Sequence, residues 1–383
     1  MKYRRLGETG LSVSALGFGA MRLPLTDDNP ANIDEAESIR MIRYAIDHGV
    51  NYVDTAYPYH AGRSEVVVGL ALKDGYREKV KLATKLPPQA IESDQDFDRI
   101  LAQQLERLQV SKVDIYLLHG MNRENWPKLR NLNVLRWAEG AMADGRVGHM
   151  GFSFHDDFEV FKGIVDAYDN WAMCQIQYNY VDVDQQAGER GLKYAASKGL
   201  AVVIMEPLRG GRLTRQPPES VARLWASAPQ KRTPAEWGLQ WVWSQPEVSL
   251  ALSGMSSMEQ VIENVVIAER SKPGSLTSEE LALIEQVREA YRKTNAVPCT
   301  GCRYCMPCPN GVEIPRIFEL YNDAVMYHDT FMTRYFYRGP AGLKEEQRAD
   351  KCLECEQCLE ACPQKLPIPE LLKKAHGLLG PRK

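Results

Sequence analysis

Residues 51–69 read NYVDTAYPYHAGRSEVVVG, in which a run of β-branched and aromatic residues ends in polar residues before a helix-like segment. The same unit recurs eight times, with strand-like runs at 16–19, 51–56, 79–85, 113–120, 149–154, 173–179, 201–207 and 249–254. Segments between these runs, such as 36–49, 96–110 and 234–245, place apolar residues three and four positions apart, as amphipathic helices do. Because parallel strands need helical crossovers, eight such units predict an α/β protein with a (β/α)8 TIM barrel of about 250 residues.

Two further segments complete the predicted barrel domain, which we expect to span residues 1–295. Short apolar stretches flank GETG within residues 1–17 and predict a hairpin, and residues 278–294 predict a last helix. Residues 296–383 then form a separate, cysteine-rich domain.

The composition excludes several classes of partner. The 383 residues are 44% hydrophobic and 25% charged, and the formal net charge is -3, so there is no excess of positive charge to bind nucleic acid or anionic lipid. The first residues lack the apolar run and cleavage site of a secretory signal, and no run of about 18 apolar residues follows. We therefore expect a cytoplasmic protein without a membrane or nucleic-acid partner.

Eight of the nine cysteines lie between Cys299 and Cys362, which indicates metal binding rather than disulfides. The runs are CTGCRYCMPCP, 299–309, and CLECEQCLEACP, 352–363. The second run has the bacterial ferredoxin spacing C-x2-C-x2-C-x3-C-P, whereas the first has two residues before Cys308 instead of three. Structural zinc sites and metal-free thiols are the alternatives, but zinc sites usually separate their C-x2-C pairs, so iron and sulfur are favoured.

Residues 297–370 thus resemble a two-cluster bacterial ferredoxin, a small α+β domain. The resemblance implies two 4Fe-4S clusters with crossed ligation. The implied ligands are Cys299, Cys302, Cys305 and Cys362 for one cluster, and Cys352, Cys355, Cys358 and Cys308 for the other.

Four polar residues lie at or just after the ends of three predicted strands: Asp54 and Tyr59 at the second, Lys85 at the third and His119 at the fourth. In a barrel the carboxyl ends of the strands face one mouth, so these side chains are expected to converge. A tyrosine has an ordinary pKa near 10, and a nearby ammonium favours its ionised form. Lys85 could therefore tune Tyr59 as a proton donor.

Residues 1–295 closely resemble the aldo-keto reductase family, and these four positions match its catalytic tetrad. The resemblance implies that Asp54 holds Lys85, that His119 orients a substrate carbonyl, and that Tyr59 protonates its oxygen as hydride arrives from NADPH or NADH. Gly17 and Gly19 resemble the start of a dinucleotide fingerprint, but Arg22 stands where its third glycine belongs, so a Rossmann fold is not favoured.

The resemblance also implies a set of nicotinamide-cofactor contacts. These are Gly19, Met21, Arg22, Ser153, Gln175, Met205, Pro207, Leu208, Gly210, Gly211, Gly254, Gln260, Glu263 and Asn264. Four positions depart from the family: Phe154 replaces an asparagine, Met205 replaces a stacking tyrosine, and Gly254 and Gln260 replace basic residues of members that prefer NADP. NADH is therefore plausible, and the preference between the two cofactors stays open.

The leading hypothesis is an NAD(P)H-dependent enzyme that reduces a small carbonyl or oxidises an alcohol, with clusters that can pass electrons to a redox partner protein. The alternative is an electron-transfer or redox-sensing protein whose barrel binds nucleotide without turnover. A flavin-bearing barrel is a third option, although no motif demands flavin.

Overall fold

The structure is a computed structural model, and it describes residues 1–27, 29–294, 296–299, 305–327, 330–339, 342–362 and 365–381. The chain divides into two compact units, Met1–Thr214 with Arg232–Thr277, and Arg215–Lys231 with Ser278–Lys383. The expected division into functional domains after residue 295 stays a prediction, since the compact units divide the chain at other positions. Within the described residues, no helix is both long enough and apolar enough to cross a membrane.

The first unit contains the strands. In the described residues they are β1 (Tyr3–Arg5), β2 (Ser12–Ser14), β3 (Leu16–Gly19), β4 (Tyr52–Asp54), β5 (Lys81–Leu86), β6 (Val113–Met121), β7 (Val147–Phe154), β8 (Met173–Gln177), β9 (Ala201–Met205) and β10 (Val248–Ser253). Strands β3 to β10 form a closed barrel in the order β10-β3-β4-β5-β6-β7-β8-β9, and all neighbours are parallel. The predicted α/β barrel is confirmed, and each of the eight predicted runs overlaps one of its strands.

The predicted N-terminal hairpin is also confirmed. Strands β1 and β2 are antiparallel, with Arg5 opposite Ser12. The connecting turn needs glycine at position 7, because its φ is +54° and a Cβ there would lie 2.6 Å from the backbone nitrogen of Ala201. Leu6 and Val13 belong to the apolar cluster inside the barrel, so the hairpin closes one of its ends.

The α-helices follow the predicted periodicity. They are α1 (Glu35–Asp47), α2 (Ser64–Ala71), α3 (Gln95–Leu108), α4 (Asn125–Asn131), α5 (Val134–Ala143), α6 (Phe158–Val165), α7 (Gly188–Ser197), α8 (Glu219–Ala226), α9 (Pro234–Ser244), α10 (Met258–Ala268), α11 (Ser278–Lys293), α12 (Ile314–Tyr327), α13 (Thr330–Arg338), α14 (Gln357–Ala361) and α15 (Ile368–Leu379). Side-chain caps mark the first turns of α1 and α9. Asp34 caps α1 by accepting a hydrogen bond from the Glu37 N–H, and Thr233 caps α9 next to a proline at its first turn.

The second unit contains α8 and α11–α15. Its apolar core includes Ile317 and Phe318 of α12 and Leu372 of α15. The Asn322 side chain ties the segment before the cysteines to α12, since it both accepts from and donates to the backbone of Val297. The residues described in this unit form helices and short 3-10 turns but no strand, so the β component expected of a ferredoxin-like domain is not seen in this part of the chain.

Candidate functional site

The buried Asp54 and Lys85 meet the half-buried Tyr59 at the carboxyl ends of β4 and β5. The Lys85 Nζ donates to Asp54 Oδ1 at 2.5 Å, to the Thr55 carbonyl at 2.8 Å and to Tyr59 Oη at 3.4 Å. The Lys85 side chain is 1% exposed and that of Asp54 is 3% exposed. Strand pairing explains the convergence, because β4 and β5 are adjacent in the barrel and Tyr59 begins the short turn after β4.

Burial and the nearby opposite charge shift the pKa of Tyr59, and likewise that of Lys85, in opposite directions. Burial raises the pKa of Tyr59, and the nearby Lys85 only partly offsets it, so the net pKa lies above the ordinary value. Burial alone would lower the pKa of Lys85, but Asp54 and Tyr59 together raise it. Hence at neutral pH Tyr59 keeps its proton while Lys85 stays charged. Lys85 thus lowers the pKa of Tyr59 in the expected direction, but burial of the phenol outweighs it.

The His119 ring lies beside Tyr59, with ring centroids 5.8 Å apart in an edge-to-face arrangement. Burial lowers the pKa of His119 well below its ordinary value, and the charges of Lys85 and His155 lower it further. His119 is therefore a neutral imidazole, which can donate one hydrogen bond to a substrate oxygen. All four predicted tetrad residues thus gather at one place.

A second polar network lies behind Lys85, and sequence reasoning missed it. The Gln104 Nε2 donates to the Lys85 carbonyl at 3.0 Å and to Glu65 Oε1 at 2.7 Å, and Thr84 also donates to Glu65. The Tyr116 hydroxyl donates to the Gln104 Oε1. An acidic residue among the apolar positions of α2 was the available signal for this network.

The residues expected around a nicotinamide lie at the carboxyl ends of the next strands. Ser153 and Gln175 are buried neighbours on β7 and β8, and the Ser153 Oγ accepts a hydrogen bond from the Gly120 N–H at 2.8 Å. The Gln175 Oε1 and the Asp54 Oδ2 are buried, and neither has a partner in the described residues. Phe154 packs edge-to-face on Phe161, with ring centroids 5.1 Å apart, so the position that departs from the family belongs to the apolar core.

The loop 206–211 after β9 has an unusual backbone that a buried ion pair holds in place. Residues 206, 209, 210 and 211 all have φ between +51° and +85°. The Arg209 Nε contacts Asp182 Oδ2 at 3.0 Å, and the Asn179 Nδ2 contacts the Glu206 carbonyl at 3.4 Å. Of the other predicted contacts nearby, Pro207 is buried and Leu208 and Met205 are half-buried.

Two of the predicted cofactor contacts after β10, Gln260 and Asn264, make hydrogen bonds within the protein. The Gln260 Oε1 accepts from the Ser256 N–H at 2.9 Å, which is ordinary chemistry at the start of a helix. The Asn264 Nδ2 donates to the Ser253 Oγ at 3.0 Å, and Glu263 is half-buried. After β3, Gly19 packs on the backbone of Ser253, and Met21 is 51% exposed.

Five of the predicted cysteine ligands line one cavity of about 160 Å³ in the second unit. They are Cys305, Cys308, Cys352, Cys355 and Cys358. Burial raises the pKa of Cys358, and Cys352, Cys355 and Cys308 raise it further, so these four thiols are close together. They are the four residues of the second implied ligand set.

The structure describes three of the four cysteines of the first implied ligand set. Cys362 lies within the apolar core of this unit, and Cys299 and Cys305 pack against that core. Cys302 lies outside the described residues. No group of three or more His, Cys, Asp or Glu side chains in the described part of the chain is arranged to hold a single metal ion.

Comparisons with known proteins agree with both parts of the chain. The aldo/keto reductase family matches residues 15–289, more than half of the chain, and the 4Fe-4S dicluster domain matches residues 298–366. An L-galactose dehydrogenase of Arabidopsis thaliana is 28% identical over 324 residues, which cover 76% of this chain and 96% of that protein. A 6-dehydroglucose reductase of Novosphingobium aromaticivorans is 29% identical over 224 residues, 55% of this chain and 70% of that protein.

A solved structure shows the same barrel. The aldo-keto reductase of Bacillus halodurans in its holo form is 30% identical, with a TM-score of 0.63, and covers 75% of this chain and 96% of its own. The chain therefore belongs to the aldo/keto reductase family of oxidoreductases, and a 4Fe-4S dicluster domain follows its barrel.

Proposed function

We propose that the barrel interconverts small carbonyl compounds and alcohols by hydride transfer with NADPH or NADH, and that Tyr59 is the proton donor. The observation that carries this proposal is the buried contact of Lys85 with both Asp54 and Tyr59. The Gln175 Oε1 and the Asp54 Oδ2 are buried without a partner among the described residues, which suits a ligand that donates hydrogen bonds here, because buried polar atoms normally have partners. A nicotinamide bound here would give or accept the hydride.

Residues of the chain supply the proton that the substrate oxygen receives during reduction. Tyr59 holds it at neutral pH because burial raises its pKa. When Tyr59 gives the proton to a substrate oxygen, the charged Lys85 stabilises the phenolate that is left. Asp54 keeps Lys85 charged and in place, and the neutral His119 donates a hydrogen bond that orients the substrate oxygen.

We further propose that the second unit holds two 4Fe-4S clusters, with the ligand sets that the ferredoxin resemblance implies. The cavity lined by Cys308, Cys352, Cys355 and Cys358 supports one of these sets. Such clusters carry single electrons, and a redox partner protein would supply or remove them. Protein purified without oxygen should contain about eight iron and eight sulfide per chain, whereas zinc or a lack of metal would contradict this part.

The hydride proposal is tested by nucleotide binding and turnover. Wild-type protein should quench the fluorescence of NADH or NADPH on binding and should oxidise it in the presence of a carbonyl compound. The panel should contain simple aldehydes together with oxidised sugars, since the two curated relatives have sugar names. Nucleotide binding without turnover on the whole panel would favour the non-enzymatic alternative.

A further inference from the structure

Lys85 is held at its backbone as well as at its ammonium group. The Gln104 Nε2 donates to the Lys85 carbonyl at 3.0 Å and to Glu65 Oε1 at 2.7 Å. The Thr84 hydroxyl donates to the same Glu65 oxygen at 2.7 Å. Glu65, Thr84 and Gln104 form the Glu65 network, and each of them is 0% exposed. Buried polar groups that satisfy one another in this way hold a fixed geometry.

The Glu65 network reaches the site through the alternation of side chains along β5. Thr84 and Lys85 are consecutive on the strand, so their side chains point to opposite faces. Lys85 contacts Asp54 and Tyr59, whereas Thr84 contacts Glu65 of α2. Hydrogen bonds to the Thr84 side chain and to the Lys85 carbonyl therefore fix the backbone from which the Lys85 side chain extends.

The two helices that carry the network are closely packed. Gly69 follows Glu65 by one turn of α2, and a Cβ on it would lie 2.6 Å from the carbonyl oxygen of Leu108 in α3. On the outer side, the Arg107 Nη1 of α3 contacts Glu65 Oε2 at 3.3 Å. The network thus rests on elements that leave little room for movement.

The first turn of α2 also holds the strand that carries Asp54. Ser64, the residue before Glu65, has its hydroxyl 2.8 Å from the Thr55 hydroxyl. The Thr55 carbonyl in turn accepts a hydrogen bond from the Lys85 ammonium. Two consecutive residues of α2 therefore fix the ends of β4 and β5 relative to each other.

We propose that the Glu65 network positions the Lys85 ammonium between Asp54 and Tyr59 and thereby sets the rate of proton transfer from Tyr59. Its members are positioning residues that act through Lys85. This inference rests on the proposed function. A misplacement of about 1 Å at a reacting site can cost about 10²-fold in rate, so the loss of a hydrogen bond behind Lys85 is expected to appear in kcat.

The test begins with Gln104→Met, which keeps the length of the side chain and removes its hydrogen bond to the Lys85 carbonyl. In full-length, cluster-loaded protein, kcat for the best carbonyl substrate of the panel should fall by about 10- to 100-fold. The dissociation constant of NADH or NADPH, measured by fluorescence quenching, should stay within about twofold of wild type.

Thr84→Val is a second variant, which carries the test if Gln104→Met does not fold. It nearly keeps the shape of the side chain but loses the hydroxyl that donates to Glu65, and it should lower kcat by about fivefold or more. Thr84→Ser restores the hydroxyl, so its kcat should return to within about twofold of wild type.

Gln240→Met is the matched control. Gln240 is a buried glutamine of α9 whose Nε2 donates to the Ile267 carbonyl at 3.1 Å. Its helix precedes β10, which is three strands away from β5 in the barrel. This variant should lower the melting temperature as Gln104→Met does, but its kcat should stay within about twofold of wild type.

A double-mutant cycle separates positioning of Lys85 from a general structural role. Tyr59→Phe combined with Gln104→Met should have a kcat within about twofold of Tyr59→Phe alone, because the network then has no proton donor to act on. A further fall by the full factor of Gln104→Met would overturn the inference, since the effect would then not pass through Tyr59.

Two other outcomes are decisive. If Tyr59→Phe lowers kcat but the folded Gln104→Met and Thr84→Val variants both turn over like wild type, the inference is wrong and the proposed function stands. If Tyr59→Phe turns over like wild type, or if wild-type protein does not turn over, the proposed function fails and this inference fails with it.

Discussion

The substitution Tyr59→Phe removes one oxygen and leaves the packing of the site in place. The phenyl ring can keep its edge-to-face contact with His119 and its place 4.9 Å from the Lys85 Nζ. The lost hydrogen bond from Lys85 is long, at 3.4 Å, so stability should change by less than about 1 kcal/mol. Proton transfer by a positioned side chain contributes about 10²- to 10⁴-fold in rate, or roughly 3 to 5 kcal/mol of barrier.

We therefore expect kcat for carbonyl reduction to fall by about 10²- to 10⁴-fold in Tyr59→Phe, while the dissociation constant of the nicotinamide nucleotide stays within about twofold. The assay is steady-state oxidation of NADH or NADPH with the best carbonyl substrate of the panel, and fluorescence quenching gives the binding control. A kcat within about threefold of wild type would refute the assignment of Tyr59 as proton donor.

Three further predictions concern pH, the buried ion pair and the cysteines. Since burial raises the pKa of Tyr59 above its ordinary value near 10, kcat for reduction should stay level through neutral pH and decline only above about pH 10; a decline below pH 8 in the pH-rate profile would contradict this. Lys85→Met leaves the Asp54 carboxylate buried without a counter-charge, so chemical denaturation should show a loss of about 3 to 5 kcal/mol, which Asp54→Asn in the same chain largely restores. Cys355→Ser should lower iron from about eight to about four per chain, whereas Cys174→Ala in the barrel should leave it unchanged; equal iron in both variants would show that Cys355 is not a ligand.

The barrel and the convergence of the tetrad could be predicted because both follow from simple rules. Each predicted run overlaps a strand, and parallel strands place their carboxyl ends at one mouth. Asp54, Lys85 and Tyr59 therefore meet although Asp54 and Lys85 lie on different strands. The hairpin was equally predictable, since its turn needs glycine.

Features that depend on burial and on distant contacts could not be predicted. The pKa of Tyr59 results from burial and the charge of Asp54, which raise it, against Lys85, which lowers it, and residue types alone do not give this balance. Gln260 matched a cofactor position, yet its side chain accepts from Ser256 at the start of α10. The network of Glu65 and Gln104 joins two helices to β5, so it exists only in the packed fold.

The most direct test of hydride transfer is to follow the hydrogen itself. Wild-type protein would be mixed with NADH or NADPH that carries deuterium at both C4 positions, and the alcohol formed from a carbonyl substrate would be analysed by mass spectrometry. We predict one deuterium on the carbon that was the carbonyl carbon, in an amount equal to the nucleotide oxidised. Nucleotide oxidation that leaves the product without deuterium would contradict the account, because the electrons would then have left the nucleotide by another route.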